Sequence, residues 1–259
     1  MIQYIERYLI NRTVYMRFDA AAFKKRLTEI FEMNGFGNML SKKRCEQFVL
    51  LTDILLEENE KYNLTAIKEP EKIILNHYAD CAALCGAIPE GSKVADIGCG
   101  AGFPTLPVAI LRPDLKITGI DSTAKRITYV NMAAERIGVT NVKAVCARAE
   151  DVGHSELRES FDIVTARAVA ALPVLTELCL PFVRVGGRMV AMKGKNALEE
   201  LHQSKNAIKL LGGKIYATQE IRLVGGEEEM IHPLIIIDKK TATPKTYPRA
   251  YAQISKKPL

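Results

Sequence analysis

The stretch Val94-Ala95-Asp96-Ile97-Gly98-Cys99-Gly100-Ala101-Gly102-Phe103-Pro104 constrains the fold more than any other part of the chain. An apolar run of strand type enters three alternating glycines, and a proline then stands where a helix would open. Glycine is needed where the backbone takes a positive φ or where a ligand approaches it closely. A strand, a glycine turn and a helix in that order need a parallel partner strand and helices to cover the sheet. The sequence beyond supplies both. Strand-type runs at 94–97, 117–120, 142–146, 161–165, 188–192, 215–224 and 234–237 alternate with helical periods near 104–112, 123–137, 173–183 and 196–211. The last two runs have no helix between them. They are joined through Gly225-Gly226 and acids, which predicts an antiparallel hairpin at the end of an otherwise parallel sheet.

The glycine spacing speaks to the ligand. In the dinucleotide fingerprint GxGxxG the third glycine would fall at position 103, which is Phe. Here the spacing is DxGxGxG, with Asp96 ahead of Gly98, Gly100 and Gly102. A carboxylate so placed opposes two phosphates and suits a cationic ligand rich in donors. S-adenosylmethionine (SAM) carries an ammonium and a sulfonium and no phosphate. The spacing therefore favours SAM; a dinucleotide and a purely structural turn are the alternatives. The expected fold class is α/β, a Rossmann-like class I SAM-dependent methyltransferase sheet of seven strands, preceded by a helical extension. Asp121 ends the second strand, where an acid accepts both ribose hydroxyls or, alternatively, caps the next helix. Ala149 and Glu150 follow the third strand and meet an adenine edge; a helix cap is the competing reading.

The acceptor side follows the fourth strand. It has no Asn/Asp-Pro-Pro-Tyr/Phe signature of exocyclic amine methylation, and no Pro-Cys pair for covalent C5-pyrimidine chemistry. It reads Thr165-Ala166-Arg167-Ala168-Val169. Arginine supplies fixed donors for phosphate or a guanine edge but no base. The acceptor is then a nucleophile that needs no deprotonation, and guanine N7 fits. A structural ion pair is the alternative role of Arg167. Lys193, after the fifth strand, lies on the same edge and suits a phosphate or a solvated strand end. Lys125 and Arg126 open a helix beside the cofactor edge. His77 on an apolar face reads as a core histidine, and His154 and His202 as surface residues. Neither the histidines nor the six cysteines show metal-ligand spacing, so no metal is expected.

Before residue 93 the period is helical. Phe48, Leu51, Leu55 and Tyr62 mark one amphipathic helix with Ser41 as N-cap. Pro70, Ile73, His77, Cys81 and Leu84 mark another. The expected organisation is 1–18 as an unassigned extension, 19–90 as a helical region packed on the core, 91–238 as the methyltransferase domain and 239–259 as a basic tail. In a chain of 259 residues the 36 basic residues outnumber the 30 acidic ones by six. Residues 239–259 hold Lys239, Lys240, Lys245, Arg249, Lys256 and Lys257 and no acid. Such a tail reads as a nucleic-acid arm or as a solubilising segment. The longest apolar run, 168–183, is broken by Pro173, Glu177 and Pro181. The first dozen residues carry Glu6, Arg7 and Arg12 and no apolar signal segment. A cytoplasmic protein with no membrane partner is expected.

Together these residues resemble the ribosomal RNA small subunit methyltransferase G family, also called GidB, over roughly 20–259. The matching stretches are Tyr62 to Ile67, His77 in its helix, Asp96 to Pro104, and Asp121-Ser122 with Lys125-Arg126. They continue with Ala149-Glu150, Arg167-Ala168, Met192-Lys193-Gly194 and the tail from Thr243 to Leu259. The glycine loop alone reaches only the superfamily; the ordered set is specific. The resemblance implies SAM-dependent N7 methylation of guanine 527 in 16S rRNA, on naked RNA or on the 30S particle, by a cytoplasmic monomer. It implies SAM contacts at Gly98, Phe103, Ala149, Glu150 and Arg167, with Ser122 beside Asp121, and Arg167 and Lys193 facing the RNA. The chain departs from the family at Thr105, where glycine is usual, at Ile231, where arginine usually precedes the histidine, and in having no Trp before Asn63. A methyltransferase of small molecules or proteins, and a non-catalytic RNA-binding assembly factor, are the rival readings.

Overall fold

The computed structural model describes residues 16–259. Most of the unassigned extension 1–18 lies outside the described residues. The helical region comprises α1 (Ala20–Met33), α2 (Lys42–Tyr62), α3 (Pro70–Ile73) and α4 (Asp80–Cys85), with a π-helical segment, Ile74–Ala79, between the last two. Ser41 caps α2 as expected, its hydroxyl accepting from the Arg44 amide at 3.3 Å. The second predicted helix begins at Pro70 but widens into the π segment, which carries Asn76 and His77. Periodicity over so short a span does not distinguish an extra residue in one turn.

The sheet follows: β1 (Lys93–Ile97), α5 (Thr105–Leu111), β2 (Lys116–Asp121), α6 (Ala124–Arg136), β3 (Val142–Cys146), α7 (Ala149–Val152), β4 (Phe161–Arg167), α8 (Leu172–Cys179), β5 (Val183–Met192), α9 (Ala197–Gln203), α10 (Lys205–Leu210), β6 (Gly213–Gly225) and β7 (Glu228–Lys239). Its order is β3-β2-β1-β4-β5-β7-β6. The first five strands are parallel; β7 inserts antiparallel between β5 and β6. The order reverses at β1 and β4, so their carboxyl ends flank a crevice where ligands bind in open α/β sheets. The predicted helix 196–211 is two helices, α9 and α10, meeting at Ser204, whose buried hydroxyl donates to the Glu200 carbonyl at 2.7 Å.

Two buried apolar clusters cover the faces of the sheet. One joins Ile54, Ile74 and Tyr78 of the helical region to Val94, Ile117 and Val130. The other joins Ile97, Val164 and Met189 to Leu175, Ile208 and Phe182. β1 is buried along all but its first residue, as a central parallel strand requires. Among the described residues no helix is long and apolar enough to cross a membrane.

The basic tail is not a free arm, which corrects that expectation for two of its cations. Lys239 is fully buried, donates to the Leu180 carbonyl at 2.7 Å and pairs with Glu159 at 3.3 Å. Arg249 grips buried Glu177 through Nε (2.9 Å), Nη2 (2.7 Å) and its own amide (2.8 Å). Arg158 donates to the carbonyls of Thr243 and Tyr247, each at 2.7 Å, and His154, read as a surface residue, contacts the Pro248 carbonyl at 2.8 Å. A buried carboxylate must be paired, and Glu177 pulls the chain end down to pair it. The tail then ends in α11 (Tyr251–Lys256), against α8. Arg249→Ala leaves Glu177 buried without its cation, and a loss of about 2–4 kcal/mol in urea unfolding is expected; an unchanged midpoint would show that the tail contributes nothing to the fold.

Candidate active site

The crevice is built around the glycine turn. Gly98 and Cys99 both donate their amides to the Ile120 carbonyl, at 2.7 and 3.1 Å, which folds the end of β1 across the end of β2. Gly98 has φ +71°, and a Cβ there would lie 2.5 Å from Val169 Cγ2. Only glycine meets both conditions. Gly100 donates to Asp121 Oδ2 at 3.0 Å, and Asp121 Oδ1 accepts from the Thr123 amide at 2.8 Å. The carboxylate is therefore aimed by two backbone donors. Asp121 does not cap α6, whose N-cap is Thr123. Arg126 lies 3.7 Å from it.

Gly98, Ile120, Asp121, Thr123 and Arg126 form one wall of a cavity of about 360 Å³, and Gly100 stands behind that wall. Gly98, Asp121, Ser122, Ala149 and Glu150 line it together with Arg126, Leu178 and Val169. So five of the expected cofactor residues meet on one surface. Tyr251, from the tail, completes the lining, and nothing in its local sequence signals that role. Ala168, also in the lining, takes φ +55°, an uncommon conformation for a residue with a side chain.

The remaining predicted site residues are placed differently. Gly102 packs under α5, where a Cβ would meet Leu106 Cδ1 at 2.7 Å, and is not on the cavity wall. Asp96 is buried beneath the turn and does not reach the cavity surface. Its Oδ2 accepts from Thr105 Oγ1 at 2.5 Å, and among the described residues its Oδ1 has no hydrogen-bond partner. Burial, eased by the Thr105 hydroxyl and by the Arg167 charge, pushes its pKa up to about 6. The threonine that departs from the family's glycine thus holds this carboxylate.

Lys193 does not present a free ammonium, which corrects its expected RNA-facing role. Its side chain is 9% exposed; Nζ pairs with Glu200 Oε2 at 2.7 Å and donates to the Ala170 carbonyl at 2.8 Å. The same Glu200 oxygen accepts from the Leu172 amide at 2.7 Å. The lysine therefore holds the 168–171 turn against α9, because an ammonium leaving water needs such partners.

Arg167 ends β4 in a cluster drawn from three other segments. Nη1 donates to Asp80 Oδ2 (3.0 Å) and the Asn76 carbonyl (3.1 Å), and Nη2 to His77 Nδ1 (2.9 Å). The π-helical segment is what brings Asn76 and His77 to the guanidinium. Arginine only donates, so His77 accepts at Nδ1 and keeps its proton on Nε2, which lies 3.2 Å from Thr65 Oγ1. Phe103 stacks on the His77 ring at 4.3 Å and lies 5.5 Å from the Arg167 guanidinium carbon. His232 of β7 meets the other Asp80 oxygen at 3.2 Å. Arg167 is thus ion-paired, as its structural reading has it, and among the described residues one Nη2–H and the Nε–H remain uncommitted. Asp80 was missed in the sequence, although it stands three residues after His77, on the same helical face.

Desolvation, reinforced by the Arg167 charge, lowers the His77 pKa to about 4. A histidine depressed in the fold binds protons only in the unfolded chain between about pH 6.5 and 4. Its neutral form therefore stabilises the protein fully above that window, and the contribution is lost as pH falls through it. Between pH 7 and 4 the wild type is expected to lose up to about 3 kcal/mol more than His77→Gln in chemical denaturation; parallel pH profiles would show that the ring is protonated in the fold.

Comparisons with known proteins give the family. The family model described as rRNA small subunit methyltransferase G (GidB) matches residues 44–229. The ribosomal RNA small subunit methyltransferase G of Clostridium perfringens (strain 13) is 46% identical over 229 residues, covering 87% of this chain and 95% of the relative. That of Lactobacillus acidophilus is 43% identical over 235 residues, covering 89% and 97%. The crystal structure of a putative O-methyltransferase from Klebsiella pneumoniae superposes with TM-score 0.51 at 16% identity, over 73% of this chain and 90% of that one, and shares the fold alone. The chain belongs to the rRNA small subunit methyltransferase G family.

Proposed function

We propose that the protein transfers a methyl group from SAM to N7 of guanine 527 in the 16S RNA of the small ribosomal subunit. The observation that carries the reading is the pairing of the Asp121 cavity with the anchored Arg167 guanidinium at neighbouring strand ends, in a chain of this family. The residues present fit SAM. The aimed Asp121 carboxylate suits a ribose diol, with Ser122 beside it. The slot formed by Ala149, Glu150, Leu178 and Tyr251 suits an adenine. Gly98 lets the ligand lie against the backbone. The unpartnered Asp96 oxygen beneath the turn favours positive charge above it. When bound, SAM supplies a methyl group on a sulfonium, electrophilic enough for an aromatic nitrogen lone pair.

This chain's part is positioning. Guanine N7 has a free lone pair, so no group has to remove a proton from it. The uncommitted donors of Arg167 suit guanine O6, which orients N7 without covering it. Methylation leaves the base cationic, and the buried Asp80 carboxylate offsets that charge beside Arg167. Phe103 and His77 form the apolar side of the cluster, and Lys193 acts through the 168–171 turn. Alignment of acceptor and donor then carries the rate enhancement, and no metal is invoked. We read 19–90 as a helical region that supplies half of the acceptor cluster, 91–238 as the methyltransferase domain and 239–259 as a strap across it, in a cytoplasmic monomer.

The test uses 30S particles and 16S rRNA from cells lacking the gene, with labelled SAM and mapping of 7-methylguanosine by chemical cleavage. A single new site at guanine 527 is expected. SAM binding with no label in RNA would move the acceptor to a small molecule or a protein. Arg167→Ala is expected to lower turnover by about 100-fold, and full activity would remove Arg167 from the site. Gly98→Ala, at a positive φ and against Val169, is expected to weaken SAM binding by about tenfold in calorimetry; unchanged affinity would count against the glycine turn as the binding wall.

A further inference from the structure

A second cavity, of about 370 Å³, opens between the C-terminal turns of α2 and the length of α6. Glu58, Tyr62, Lys125, Tyr129, Met132 and Arg136 line it. Its chemistry is not that of a core gap. Tyr62 is 43% exposed, and Lys125 Nζ stands over its ring, 5.9 Å from the centroid. Tyr129 is 1% exposed, yet among the described residues its hydroxyl has no hydrogen-bond partner. A buried phenol normally finds one, and Tyr129 stands in the wall of this cavity. Glu58 Oε1 accepts from Lys61 Nζ at 2.8 Å, and among the described residues its second oxygen is uncommitted. Lys125 has no ion pair among the described residues. An aromatic face, a carboxylate acceptor, a phenol and an uncompensated ammonium together match one nucleotide. A base stacked on Tyr62 would turn its N–H edge to Glu58 and its phosphate to Lys125.

The cavity neighbours the first one without sharing a lining residue with it. Lys125 lines it while the next residue, Arg126, lines the cofactor cavity. The chain that leaves Tyr62 reaches His77 through Thr65 Oγ1, at 3.2 Å. We propose that this pocket takes one unpaired nucleotide of the RNA substrate, flanking the base that is methylated. The proposal rests on the RNA reading above and deepens it: recognition would extend to a second unstacked base, as single-stranded segments are commonly read.

The test uses the full chain. Tyr62→Ala is expected to raise KM for the 30S substrate by about tenfold while kcat and SAM affinity stay unchanged. Lys125→Ala is expected to raise KM and to flatten its salt dependence. The sequence has no Trp, so Tyr62→Trp provides a single tryptophan that can be excited apart from the tyrosines. Its emission should be quenched by a 16S rRNA fragment containing guanine 527 and not by SAM. If the wild type methylates the particle but both alanine variants keep KM and the emission of Tyr62→Trp ignores the fragment, the pocket is not an RNA site. If the wild type does not methylate RNA, the function reading fails, and the fluorescence titration still decides the pocket. Quenching by free nucleoside monophosphates alone would overturn the proposal in favour of a small-molecule site.

Discussion

Arg167 and Asp80 form the ion pair on which the arrangement of this molecule turns. Asp80 is 2% exposed and begins a helix in the N-terminal half; Arg167 ends the fourth strand. Neither charge can remain at that depth alone, so the helical region and the sheet must meet there in one register. The pair also collects neighbours. Asn76, His77 and His232 orient around it, and Phe103 carries the glycine turn up to it. A guanidinium held by three acceptors has little freedom left, and its uncommitted donors point from a fixed place. Such preorganisation suits a reaction whose chemistry comes from the methyl donor and whose demand on the protein is alignment.

Much of the fold was legible because its signals were local. Short apolar runs separated by helical periods gave the parallel order, and the helix-free link through Gly225-Gly226 gave the reversed hairpin. The insertion of β7 between β5 and β6 follows no local rule; it depends on which open edge the hairpin covers. The turn residues that line the first cavity were readable for the same reason as the strands. Gly98, Asp121, Ala149 and Glu150 stand directly at strand ends, and chain direction alone takes them to one edge of the sheet.

What was not legible depended on pairing across distance. Lys193 sits at the right strand end, but Glu200 turns it into the protein. Asp96 has the right spacing, but the turn closes over it and Thr105 ties it down. The tail's charge suggested a free arm, whereas Glu177 and Glu159 draw Arg249 and Lys239 inward. In each case the missing information was a partner far along the chain. Asp80 and His232 were overlooked for the converse reason, since each is unremarkable until Arg167 lies beside it.

The strap also ties one wall of the cavity to a buried charge. Tyr251 belongs to that wall, and the segment carrying it is fastened by Arg249 to a carboxylate in α8. The wall lies outside the sheet and owes its place to contacts of this kind, so whatever loosens the Arg249–Glu177 pair loosens Tyr251 with it. The pairing of a buried carboxylate and the shape of the crevice are in that sense one property of the fold.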